Sequence, residues 1–288
     1  MEYFTFRHWK LLILTTAVLA LTISACTTFK ADDDMILFND RPLYPGQKEM
    51  FGEEYRTKFS KLAVDDTTRL QTAWISKGEA PYTVLYFGGN GFRIGIQGHE
   101  KAAPYAGLGY NVLLFDYRGY GWSDGRSQMD RLKTDAITVY DSLVSRPGMD
   151  PENLILHGHS VGSLLAAHVA RNRQPGALVL ESSVTTMQEW WKEVTPWLVR
   201  LFVKFEVADA LKNEGNSQRV KQMQLPTLFV AGAEDPITPP ELTRRLYNQS
   251  VAPEAHKQLH IFEGADHNSV MEHAEFQVQL REFVERMK

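Results

Sequence analysis

The sequence predicts an α/β domain built on a mostly parallel, doubly wound sheet with helices on both faces. Three observations carry that reading. Short runs almost continuous in Val, Leu, Ile, Phe and Tyr recur along the chain, as strands buried on both faces require. Helix-length periodic segments alternate with them, giving the order strand, helix, strand, helix. Residues able to do covalent chemistry fall immediately after the runs, where such sheets bind ligands. The strands are expected at 59–64, 70–76, 83–87, 112–115, 154–157, 177–180, 228–230 and 259–262, and the helices at 98–107, 128–145, 161–173, 239–248 and 268–286. At 288 residues, 43% of them hydrophobic and 23% charged, the chain can bury one full core, and residues 51–288 are expected to form it as a monomer. A net charge of −4 without a clustered Lys/Arg stripe argues against a nucleic-acid partner.

The chain opens with a basic region, Arg7, His8 and Lys10, an apolar run over 11–23, and the small residues Ser24 and Ala25 before Cys26. This is the pattern of a secretory signal, and the run is shorter than the ~20 residues that cross a bilayer core. Ile23-Ser24-Ala25-Cys26 resembles the bacterial lipobox, in which the cysteine is acylated and becomes the first mature residue. Cys26 is the single cysteine, so no internal disulfide competes for it. The resemblance implies a signal peptide at 1–25, a palmitate-type lipid anchor on Cys26, and a place in the bacterial cell envelope. Thr27, rather than Asp, follows the cysteine, and by resemblance to the sorting pattern of Gram-negative lipoproteins this implies the outer membrane in such a host. Residues 26–50, with Asp32-Asp33-Asp34, Pro42 and Pro45, are expected to be a flexible polar linker holding the domain within roughly 25–30 Å of the anchor.

After the run ending at 157 comes Gly158-His159-Ser160-Val161-Gly162 and a good helix start. A serine exposed at the apex of so sharp a turn needs neighbours without side chains, which Gly158 and Gly162 supply. A serine hydroxyl is a weak nucleophile until an imidazole takes its proton and a carboxylate orients that imidazole. The next strand ends offer both, Asp235 after the run at 227–230 and His267 after the run at 259–262, in the chain order Ser, Asp, His. Glu181, Glu234 and Asp266 compete for the acid role; the turn Asp235-Pro236-Ile237-Thr238-Pro239-Pro240 resembles the acid loop of known hydrolases, which implies Asp235 first and Glu181 second. Asp116-Tyr117-Arg118-Gly119-Tyr120-Gly121 resembles a structural loop beside the site in known hydrolases, which implies that Asp116 braces a loop with Arg118 rather than reacts.

Acyl transfer also needs donors where negative oxygen develops, and losing one costs about 2.7–4 kcal/mol of barrier. The backbone amide of Val161 is one candidate; the other is expected in Gly88-Gly89-Asn90-Gly91-Phe92, whose resemblance to the His-Gly-Asn-Ala-Gly segment of known hydrolases implies the amide of Asn90. A dinucleotide fingerprint fails in that loop, because Ile94 stands where the third glycine belongs.

Five ordered segments, Phe87-Gly88-Gly89-Asn90-Gly91, Asp116 to Gly121, Gly158 to Gly162, Gly232-Ala233-Glu234-Asp235-Pro236-Ile237-Thr238-Pro239 and Gly264-Ala265-Asp266-His267-Asn268, resemble the α/β-hydrolase superfamily, and within it the compact Bem46-like and ABHD13/ABHD17-like branch. The likeness runs from about residue 55 to the end. Gly88 stands where relatives carry histidine, so the brace that residue supplies is absent. The resemblance implies an α/β-hydrolase fold with a serine hydrolase activity, described for that branch as esterase, thioesterase or peptidase-like.

Residues 183–226 are expected to form a helical cap. Met187, Trp190, Trp191, Val194, Trp197, Leu198, Leu201, Phe202 and Phe205 recur at three- and four-residue spacing, with Pro196 starting a second helix. This stripe is either core-facing or the lining of an acyl pocket that also touches the bilayer. The reaction expected is two-step hydrolysis of a small-molecule or lipid acyl ester or thioester, with no metal or organic cofactor. An aminopeptidase-like enzyme and a silent envelope binding lipoprotein are the alternatives.

Overall fold

The computed structural model describes residues 27–37, 46–47 and 55–287; the expected signal peptide and Cys26 lie outside them. Among the described residues an eight-stranded sheet holds β2 (Arg56–Ala63), β3 (Arg69–Ser76), β4 (Thr83–Phe87), β5 (Asn111–Phe115), β6 (Leu154–His159), β7 (Ala177–Glu181), β9 (Thr227–Gly232) and β10 (Lys257–Phe262). Their spatial order is β2-β3-β5-β4-β6-β7-β9-β10. β3 runs antiparallel to both neighbours, and the pairs from β5 to β10 are parallel.

Alternate residues of the central strands enter opposite layers, which explains their unbroken hydrophobicity. Leu85 and Phe87 of β4 pack with α3 (Met129–Val144) and α4 (Val161–Arg173), whereas Val84 and Tyr86 pack with α2 (Ile94–Gly107) and the last helix, Phe276–Glu285. Both sides are fully buried, each Val, Leu or Phe contributing about 1.5–3 kcal/mol. The expected α/β-hydrolase fold is therefore present, with helix ends near their predicted places.

Two boundaries differ for local reasons. α2 begins at Ile94 rather than 98, because the Asp116 carboxylate accepts the Ile94 amide at 2.7 Å. The helix expected over 268–286 begins at Phe276, after a single 3-10 turn at Val270–Glu272. Asp266 takes the amides of Asn268 and Ser269 into a local turn, which holds this stretch away from the α-helix.

The larger corrections concern the linker and the cap. Residues 27–37 form a strap: β1 (Thr27–Ala31) followed by the one-turn helix α1 (Asp33–Ile36). β1 pairs in parallel with β8 (Val203–Val207), from Thr27 against Val203 to Ala31 against Val207. The expected flexible coil is thus docked over its first eleven described residues. Ala31 and Leu37 are buried, Asp34 pairs with Arg126 at 2.9 Å, and Asp33 accepts the Met129 amide that opens α3. In the cap, α5 (Met187–Val194) and α6 (Trp197–Arg200) flank Pro196 as expected, but the helical stripe stops there. Phe205 belongs to β8, where Val203, Phe205 and Val207 alternate with charged residues. Trp191 stacks on Phe205 at 4.8 Å and on Phe29 of the strap at 5.1 Å, fastening the two pieces.

Candidate active site

The loops after β4, β6, β9 and β10 meet at one edge of the sheet. Ser160 sits at the turn out of β6 with φ +53° and ψ −120°, a strained conformation for a non-glycine residue, costing about 1–3 kcal/mol. Its amide donates to the Glu181 carbonyl at 2.9 Å, and its carbonyl accepts the Ser163 hydroxyl at 2.5 Å. The flanking glycines are obligatory. A Cβ on Gly162 would lie 2.1 Å from the Phe87 carbonyl oxygen, and one on Gly158 2.5 Å from the Gly162 oxygen.

Asp235 follows β9 and is buried. Its Oδ1 accepts the Ile237 and Thr238 amides, both at 2.8 Å, and its Oδ2 accepts the Thr238 hydroxyl at 2.9 Å. His267 follows β10, with Nδ1 2.8 Å from both Asp235 Oδ2 and Thr238 Oγ1. Burial pushes the Asp235 carboxyl up, but the imidazole and the Thr238 amide outweigh it and hold it below its ordinary value. An ionised Asp235 fixes Nδ1 inward and leaves the other ring nitrogen of His267 open.

Ser160, His267, Asn90 and Val161 line one cavity of about 330 Å³. Its apolar wall comes from Ile36, Val184, Met187, Trp190 and Ile237. Among the described residues, no protein acceptor takes the amide hydrogen of Asn90 or of Val161, the first residue of α4. The Asn90 loop is braced by two tyrosines. Tyr120 donates to Asn90 Oδ1 at 2.6 Å, and Tyr117 donates to the Gly88 carbonyl at 2.7 Å.

The rival carboxylates are engaged elsewhere. Glu181 lies in the core, 2.8 Å from His157 Nε2, and Tyr105 is hydrogen-bonded to that ring's other nitrogen. Glu234 is exposed, and Asp266 serves its own turn. Asp116 and Arg118 both brace loops but not each other, contrary to expectation. Asp116 caps α2 and accepts the Trp122 amide at 3.0 Å; burial pushes its carboxyl up to about 6. Arg118 instead grips Asp135 at 2.5 and 2.6 Å and Asp65 at 3.2 Å, because Asp135 on α3 offers a buried carboxylate that matches its fork.

Several residues escaped the sequence reading. Thr238 bridges Asp235 and His267; its signal was the Asp-x-x-Thr spacing of a side-chain-capped turn. His159 donates from Nε2 to the His267 carbonyl at 2.8 Å, and burial pushes its ring down to about 4, so it is neutral at physiological pH. Lys101 donates to the Asn268 carbonyl at 2.9 Å from the other side of the loop. Asn216, at the far end of the cap, donates to the Ser163 carbonyl at 3.1 Å and to Ser183 Oγ at 2.8 Å, lacing the cap to α4. Ile36 reaches the cavity from the strap.

The fold and its strand-end loops define a protein of the α/β-hydrolase superfamily. The chain belongs to the prolyl oligopeptidase family, whose model matches residues 98–286. It is 33% identical over 194 residues to an uncharacterized protein of Mycobacterium tuberculosis, covering 67% of this chain and 65% of that one. It is 29% identical over 217 residues to protein bem46 of Schizosaccharomyces pombe, covering 75% and 70% of the two chains. To the lysophosphatidylserine lipase ABHD12 of Mus musculus it is 34% identical over 179 residues, covering 57% and 44%. The chain thus spans a little under two thirds of the M. tuberculosis relative and less than half of the lipase. Among solved structures, the esterase Pf2001 of Pyrococcus furiosus shares the fold at a TM-score of 0.67 and 18% identity, over 86% of this chain and 98% of that one.

Proposed function

We propose that the protein is a serine hydrolase that cleaves carboxylic esters or thioesters through an acyl-enzyme on Ser160. His267 removes the hydroxyl proton as Ser160 attacks the carbonyl carbon, and the Asn90 and Val161 amides stabilise the oxyanion. The protonated imidazole, balanced by Asp235, gives its proton to the departing alcohol or thiol. Water then attacks the acyl-enzyme with His267 as base and releases the acid. One observation carries this reading: a strained serine and an imidazole 2.8 Å from a buried carboxylate open into the same cavity. The strain argues against a silent binding module, because an unused serine gives no reason to retain it.

The cavity favours an acyl group over a peptide amine. Its described lining carries no Asp or Glu to hold an ammonium, as an aminopeptidase would need, and its walls are largely apolar. A related protein named as a lysophosphatidylserine lipase supports a lipid acyl ester as substrate. The reading includes attachment to a bacterial envelope membrane by acylation of Cys26, durable because more than one acyl chain is added there.

A panel of aryl esters and acyl thioesters of increasing chain length, set beside aminoacyl amides, tests it. Ester or thioester turnover should exceed amide turnover and should disappear in Ser160→Ala. Faster amide turnover would favour the aminopeptidase reading, and turnover of nothing the binding-module reading. Cys26→Ser should release the protein from membranes.

A further inference from the structure

The strap and the cap together expose an apolar tip. Trp197, Leu198, Val199, Leu201 and Phe202, on α6 and the turn after it, are between 41% and 66% exposed. Five large apolar side chains within six residues form a contiguous surface feature, unlike apolar residues scattered singly. The parallel register of β1 and β8 sets the chain's entry to the fold at this tip: Thr27 lies opposite Val203, the residue after Phe202. What precedes Thr27 in sequence is Cys26 and the apolar run over 11–23. The segment that leads to the membrane and the most apolar exposed part of the cap therefore share one end of a two-stranded sheet. That sheet is held by five paired residues and the Phe29–Trp191–Phe205 stack.

The same two pieces also build the cavity wall. Met187 and Trp190, on the helix before the tip, line it, and so does Ile36, five residues beyond β1. Trp190 is fixed there by its indole N–H, which donates to the Ile237 carbonyl at 2.8 Å.

We propose that the tip at 197–202 is a lipid-docking surface, seated in the headgroup boundary of the membrane to which residues 1–26 lead, so that the cavity beside Ser160 is presented to acyl lipids. This rests on the membrane reading of residues 1–26 given above. Aromatic and branched side chains suit that boundary, and Arg200 between them is placed to meet lipid phosphates. The exposure of the tip makes substitutions there harmless to the core.

The full chain reconstituted in phosphatidylethanolamine and phosphatidylglycerol vesicles carrying acyl-chain-brominated lipid tests the docking by tryptophan quenching. Trp197→Phe should remove a quenched component. Leu198→Ser, Leu201→Ser and Phe202→Ser combined should slow hydrolysis of a vesicle-borne acyl ester about tenfold, with a short soluble ester unaffected. Identical quenching in wild type and Trp197→Phe overturns the proposal. So does an equal loss on both esters, which would make the tip part of the site itself. A concentration-dependent dimer abolished by the triple substitution would assign the surface to a second copy. Quenching requires no turnover, so it decides the matter even if the hydrolase reading fails. Mass analysis of the peptide carrying Cys26 separates the anchor: an unacylated Cys26 defeats the acylation reading while leaving the Trp197 measurement valid.

Discussion

The rim of the sheet and the strap-cap unit are assembled by opposite means. At the rim each functional group is held by its own turn: Asp235 by the amides of Ile237 and Thr238, and Ser160 by two flanking glycines and the Ser163 hydroxyl. The strap-cap unit has local bonds of its own, such as the Thr186 cap of α5, but its two pieces are joined only over a long stretch of chain. β1 finds its partner in β8, with residues 32–202 between them, and the joint is closed by aromatic stacking. The strand-end loops thus rest on short-range geometry over a stiff sheet, while the cavity wall rests on long-range contacts: the β1–β8 pairing, the Trp191 stacks, the Trp190–Ile237 bond and the Asn216 bonds to α4. The first arrangement fixes reacting atoms, and the second leaves pocket shape open to change without disturbing them.

If this division holds, substitutions at the rim should cost orders of magnitude in rate and those in the strap-cap unit should alter preference. The largest effect is expected for His267→Ala, about 10⁶-fold in kcat, with substrate affinity little changed. Asp235→Asn should cost about 10⁴-fold by disrupting the tautomer and the charge balance. Asp116→Asn, an equally buried carboxylate in the neighbouring loop, should leave kcat near wild type; a collapse there comparable to Asp235→Asn would break the assignment. In the wall, Ile36→Trp should reduce long-chain relative to acetyl ester turnover by about 10-fold through lost cavity volume. Trp191→Ala should remove about 1–2 kcal/mol of stability, read by urea unfolding, with short-ester turnover retained.

The smallest effect is in acid. Burial pushes the His159 and His168 rings down to about 4, below their ordinary 6.5. Between those values the unfolded chain takes up protons that the folded one refuses, so stability falls as pH drops through that window. Asp116, pushed up to about 6 from 3.8, works the other way, since the folded state takes up its proton first. His159→Gln should therefore flatten the acid-side loss between pH 6.5 and 5, and Asp116→Asn should steepen it, as urea midpoints would show.

The same contrast explains what the sequence made legible. Strands buried on both faces announce themselves by unbroken hydrophobicity, and the Ser160, Asp235 and His267 turns carry their glycines, prolines and chain order locally. The strap did not, because Thr-Thr-Phe-Lys-Ala and the acidic run after it read as linker until a partner strand is known. For the same reason the sequence places Phe205 on a helix: Trp191, Val194 and Trp197 continue toward it at helical spacing, and only the alternation from Val203 to Val207 argues for a strand. Glu181 could not be set aside from sequence, since its partner His157 points into the core only once β6 and β7 are aligned.

The central claim is that the hydroxyl at the turn out of β6 is the nucleophile. Incubation with a fluorophosphonate, followed by mass analysis of the intact protein and its peptides, tests it most directly. A single phosphonyl adduct on Ser160, absent from His267→Ala on the same time scale, is the predicted result. An unlabelled protein, or an adduct carried by another residue, would contradict the account.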